Sequence, residues 1–147
     1  MDKVAYACAA KHAGGYCVTV SMNGVDFLAP VEVGDLVSLI GSVNYVGTSS
    51  MVVGIKVISE NVVTGKKTHT NTSYLTMVAK CEDGKPRRVP KLVLETKMCI
   101  RRFLEAKKRR EFIKEFRANL NSNKVTDEEA LAHLSELTEE RCVIDVK

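Results

Sequence analysis

The chain has 147 residues, 45% of them hydrophobic and 27% charged, a balance that fits one globular domain and excludes disorder over most of the length. No apolar run approaches the roughly 20 residues that span a bilayer, and an acid at the second position leaves no basic-then-apolar secretory leader, so a cytoplasmic or organelle-matrix address is expected. The net charge of +4 is concentrated between Arg101 and Arg117, where eight basic side chains stand against three glutamates, and such a run implies a polyanionic partner.

Residues 2 to 12 (DKVAYACAAKH) are alanine-rich and apolar almost all round, which predicts a helix buried on most of its circumference and stopped by Gly14-Gly15. Tyr16 to Gly24 carries the β-branched Val18, Thr19 and Val20 and reads as a strand. The phrase DFLAPVEVGD then supplies a proline and a glycine for the passage into the next strand. Three longer strand-like stretches follow, Leu36 to Val46, Met51 to Val63 and Lys67 to Lys80. Their separators, Gly47-Thr48-Ser49-Ser50 and Thr64-Gly65-Lys66, are short enough for antiparallel hairpins. One buried helix followed by about four antiparallel strands is an α+β pattern in which a sheet wraps a central helix.

After Pro90 the period changes. Ile100, Phe103, Leu104, Phe112, Ile113 and Phe116 fall near helical spacing over 94 to 118, as one amphipathic helix or two broken at Lys107 to Glu111. Asn119 to Lys124 (NLNSNK) reads as a linker. Thr126 with Glu129 makes a capping box before a short final helix over 127 to 139. The expected organisation is a main domain over 1–118, with 119–147 as linker and C-terminal helix.

Cys8, Cys17, Cys81, Cys99 and Cys142 are odd in number and widely spaced, with no Cys-x-x-Cys pair; they read as reduced packing thiols. His12, His69 and His133 have no motif around them, metal-ligand spacing is absent, and no Gly-rich phosphate loop of strand-to-helix type occurs. Asp2 stands out, because a carboxylate at the start of an apolar helix can orient a water as a general base. The commoner reading of such an aspartate is a helix cap.

The phrases MDKVAYACAAKHAGG, VTVSMNGVDFLAPVEVGD, YVGTSSM, LTMVAK and VPKLVLET, in that order, resemble the acyl-CoA thioesterases of the hotdog fold from Met1 to about Arg110. The resemblance implies hydrolysis of a fatty acyl-CoA to free acid and CoA, with no cofactor beyond the CoA of the substrate. It makes Asp2 the catalytic aspartate, with backbone amides of the helix N-terminus and a preceding glycine-rich loop facing the oxyanion. Val20, Ser21 and Met22 match a strand segment lining the CoA site, and Ser49, Ser50 and Met51 match the hairpin that holds its nucleotide end. Arg109 and Arg110 match a basic pair that reaches the CoA phosphates. It also implies a homodimer, or a trimer of dimers, since hotdog sites form between two protomers.

There are departures. Family members carry a first strand and an asparagine- and glycine-bearing loop before the Met-Asp pair, whereas this sequence opens at the aspartate's neighbour. A truncated product, or a hotdog protein that binds acyl-CoA without turnover, is therefore the expectation, with a sheet edge left open. Thr48 stands where relatives often place an arginine. A nucleic-acid role for the basic helix is disfavoured, because Phe103, Phe112 and Phe116 follow its apolar face rather than interleaving with the charges.

Overall fold

The structure is a computed structural model that describes residues 1–25, 27–132 and 141. Two compact units divide at Lys108 and Arg109, inside the last long helix rather than at the expected 118/119 boundary.

In the first unit, α1 (Asp2–Ala13) precedes four strands, β1 (Cys17–Asn23), β2 (Leu36–Val46), β3 (Ser50–Glu60) and β4 (Lys67–Ala79). They form one antiparallel sheet in the order β1-β4-β3-β2. The strands start within a residue of their expected positions because β-branched and turn residues alternate so clearly. β3 ends three residues early, since Asn61 folds the chain back: its Oδ1 accepts from the amides of Val63 and Thr64 at 3.1 and 2.9 Å. Gly65, at φ 69, completes that turn.

The inward face of the two central strands makes the core. Met51, Val53 and Ile55 of β3 and Leu75, Met77 and Ala79 of β4 are fully buried, and α1 lies across them, packing against all four strands. The expectation of a helix buried on most of its circumference is corrected. Only Ala5, Ala9 and Ala13 are buried, an i, i+4 stripe, because a single sheet covers a single face. Alanine at these positions and Gly41 on β2 bring backbone close to backbone. A Cβ at Gly41 would stand 2.6 Å from Cys8 Sγ and 3.0 Å from Val4 Cγ1.

The far end of α1 is fastened. Gly14 takes the left-handed conformation at φ 66 and donates to Ala10 O at 2.9 Å, a helix stop that glycine adopts without steric cost. The Arg87 guanidinium donates to Ala13 O, while its own backbone amide donates to Ala79 O at 2.8 Å. One residue thus ties the helix end to the end of β4.

Helix α2 (Lys97–Ser122) is continuous. It begins after Thr96, whose Oγ1 accepts from the Cys99 amide at 3.1 Å. Within the first unit its Phe103 ring packs on Tyr45 of β2 at 5.0 Å.

In the second unit α2 runs to Ser122, so most of the expected NLNSNK linker is helix. Each asparagine costs only about 0.7 kcal/mol relative to alanine, while every further residue of a helix adds a backbone hydrogen bond; just past the last helical residue, Ser122, the Asn123 amide donates to Asn119 O at 3.0 Å. The capping box forms: Glu129 N donates to Thr126 Oγ1 at 3.2 Å, and Thr126 N donates to Glu129 Oε2 at 2.9 Å. It opens α3 (Asp127–Ala132). These bonds hold the exposed Glu129 carboxyl below its ordinary value, the backbone bond foremost. His133, Cys142 and the rest of the expected final helix lie outside the described residues, as does Asp26. Among the described residues no helix is long and apolar enough to cross a membrane.

Candidate active site

Asp2 is the first helical residue of α1, one position inside the N-cap Met1, and the N-cap makes no side-chain bond. Its carboxylate does not cap the helix. It turns to β1, where Oδ1 accepts from Thr19 Oγ1 at 2.6 Å. The Thr19 hydroxyl also lies 3.0 Å from Met77 Sδ. With one proton to give, the hydroxyl favours the carboxylate, since a bond to an ionised acceptor is the stronger. Thr19 reaches this position because the register places it opposite Met77, on the α1 side of the sheet.

Asp2 and Thr19 open onto a groove of about 340 Å³ that is also lined by Lys3, Tyr6, Tyr16, Cys17 and Val18. The volume is in the range of small-ligand sites. The anionic end of the groove lies at the N-terminus of α1, whose unsatisfied amides carry partial positive charge. Burial pushes the Cys17 thiol above its ordinary value, and the nearby Arg87 charge pulls it partly back. A protonated, buried thiol is a packing residue rather than a nucleophile. Cys8, Cys81 and Cys99 are likewise free thiols.

The described histidines are occupied elsewhere. His12 Nε2 bonds Pro90 O at 3.0 Å. His69 Nε2 lies 2.9 Å from Asn71 O and 2.8 Å from Thr72 Oγ1. Among the described residues no group of three His, Cys, Asp or Glu side chains could hold a metal.

Of the other residues singled out by sequence, Val20, Ser21 and Met22 continue β1 directly past Thr19. The strand bulges between Thr19 and Ser21, and Val20 and Met22 are exposed. Ser49 and Ser50 sit at the β2–β3 turn, tied down by Gly47 N donating to Ser50 O at 2.7 Å and Ala79 N to Ser49 O at 2.9 Å. The Met51 side chain is wholly buried and belongs to the core. Arg109 and Arg110 lie on α2 within the second unit. Sequence reasoning missed Thr19 as a partner of Asp2. Its only trace was a hydroxyl on a strand, and the pairing depends on how α1 lies over β1.

The thioesterase superfamily model matches residues 1–66. The chain is 48% identical over 111 residues to protein VdlD of Helicobacter pylori, a match over 76% of this chain and 63% of that protein; the chain therefore spans under two thirds of the length of the curated relatives it matches first. Among solved structures, an apo-hexameric acyl-CoA thioesterase superposes with a TM-score of 0.77 at 41% identity, over 80% of this chain and 75% of that one. The acyl-CoA hydrolase of Staphylococcus aureus, solved with butyryl coenzyme A, coenzyme A and coenzyme A disulfide, gives 0.75 at 36%, over 89% and 77%. That hydrolase has also been solved with an aspartate, and separately a threonine 17 positions further along, changed to alanine. The same interval separates Asp2 from Thr19.

Proposed function

The chain belongs to the acyl-CoA thioesterases of the thioesterase superfamily, with the hotdog fold, and from that premise we propose that it hydrolyses fatty acyl-CoA thioesters to free acid and CoA. Asp2 acts as the general base. Its carboxylate takes a proton from a water, the water oxygen bonds to the thioester carbonyl carbon, and the carbon–sulfur bond then breaks. The departing sulfur takes the proton back from Asp2 and leaves as CoA thiol. Thr19 is a positioning residue, holding one carboxylate oxygen so that the other faces the water.

The observation that carries this reading is the Asp2–Thr19 bond at the mouth of the groove. A carboxylate serving only the helix would turn back on its own amides. The positive end of α1 beside it suits the oxyanion that develops on the carbonyl. In this reading Val20, Ser21 and Met22 run alongside the pantetheine arm, Ser49 and Ser50 offer hydroxyls and turn amides to the nucleotide end, and Met51 anchors their turn in the core. Arg109 and Arg110 take the phosphates. The working unit is a homodimer or a trimer of such dimers, in keeping with the hexameric relative.

Thiol release from a series of acyl-CoAs, with Asp2→Ala beside the parent chain, tests the proposal. Release by the parent that collapses in the variant is the expected result; release at the same rate in both overturns Asp2 as base. Binding of acyl-CoA with no release would select a protein that sequesters acyl-CoA instead.

A further inference from the structure

The groove has two unlike ends. Asp2, Lys3 and Thr19 make one end polar, and Tyr6 and Tyr16 make the other aromatic. The two tyrosines come from different elements. Tyr6 is one helical turn beyond Asp2 on the same side of α1, and Tyr16 immediately precedes β1. Their rings meet edge to face, with centroids 6.3 Å apart and planes at 61°, a favoured aromatic geometry. Both remain well exposed, Tyr6 at 41% and Tyr16 at 60%, so their contact is not explained by burial in the core. Neither is used by the chemistry above.

Direction along β1 decides what the aromatic end receives. From Thr19 the strand continues one way into Val20, Ser21 and Met22, which the proposed function gives to the CoA arm. The other way it returns through Val18 and Cys17 to Tyr16. A thioester with its carbonyl at Asp2 and Thr19 and its CoA along Val20–Met22 must therefore point its acyl group at the tyrosine pair. We propose that Tyr6 and Tyr16 are the acyl stop, making the chain selective for short acyl groups. The reach from Asp2 to Tyr6 is about 6 Å along the helix, and from Thr19 to Tyr16 about 10 Å along the strand. A short acyl group fits that span, and a longer chain meets ring edges.

This inference rests on the hydrolase reading, and its test separates the two. The measurement is kcat/KM for acetyl-, butyryl-, hexanoyl-, octanoyl- and lauroyl-CoA with the parent chain, Tyr6→Ala, Tyr16→Ala and Tyr6→Phe. The parent should peak at or below hexanoyl and fall at least tenfold by lauroyl. Tyr6→Ala, a helix-favouring change at an exposed position, should raise the lauroyl-to-butyryl ratio at least tenfold, and Tyr16→Ala in the same direction. Tyr6→Phe should keep the parent ratio. A parent optimum at lauroyl, or an unchanged ratio in both alanine variants, overturns the acyl stop while leaving the hydrolase intact. Turnover of none of the series by the parent overturns the hydrolase reading and the stop with it.

Discussion

The Thr19 hydroxyl donates to Asp2 Oδ1 at 2.6 Å, joining the first turn of α1 to β1 across 17 residues of sequence. Under the proposed mechanism the two side chains differ in what they lose. Asp2→Asn removes the base and should lower kcat about 10²- to 10⁴-fold with little change in KM. Thr19→Val removes only the bond that orients the carboxylate and should cost about tenfold. Steady-state kinetics on both variants and the double variant check this. Equal losses in both singles would make Thr19 a chemical participant rather than a positioning one.

The close approach at Gly41 is a second target. Gly41→Ala puts a methyl 2.6 Å from Cys8 Sγ, closer than atoms pack, so α1 must lift or Cys8 must turn. The expected loss is about 1–3 kcal/mol by denaturant unfolding. Cys8→Ala in the same chain should recover much of it, as a coupling term that two independent sites would not show.

The strands were readable in the sequence because their signal is local: alternation in Tyr16 to Gly24, β-branched runs in Leu36–Val46, and Gly or Asn at each turn. The exposed face of α1 was not readable. Apolarity all round Asp2–Ala13 says that the helix can be buried everywhere, not how many surfaces this chain supplies to bury it. Continuation of α2 through Asn119 and Leu120 is hidden for a related reason, since asparagine and serine favour turns locally while propagation of an existing helix carries through them. At the site, Asp2 was legible through a family resemblance, whereas Thr19, Tyr6 and Tyr16 joined it only once α1 was laid over β1.

Arg87 and Cys17 give a pH-dependent test. Burial raises the Cys17 thiol above its ordinary value and Arg87 opposes the shift, so the folded chain holds this proton more tightly than the unfolded one. The corresponding stability is complete below the unfolded thiol's value and is lost as pH rises through the folded one. As pH rises past the ordinary thiol range the parent should therefore lose stability faster than Cys17→Ala. Arg87→Ala should shift thiolate formation, read by its ultraviolet absorbance, to still higher pH. It should also cost about 1–3 kcal/mol at neutral pH, because Ala13 O loses its donor.

The assignment of CoA contacts predicts a split between binding and chemistry. Ser49 and Arg110 lie on different elements, the β2–β3 turn and α2. If both serve the nucleotide end, Ser49→Ala and Arg110→Ala each raise KM for an acyl-CoA by about two- to fivefold, the scale of a solvent-exposed polar contact, while kcat holds. The same acyl group on pantetheine, which lacks the nucleotide, should show no change in KM for either variant. Added salt should raise the parent's KM for acyl-CoA more than that of Arg110→Ala, because screening acts on the charge the variant has lost. A change in KM that is equal for acyl-CoA and acyl-pantetheine would instead mean that the substitutions act through the fold. Ser49 and Arg110 would then be structural residues of the turn and the helix, and the phosphates would have to be held by other cations.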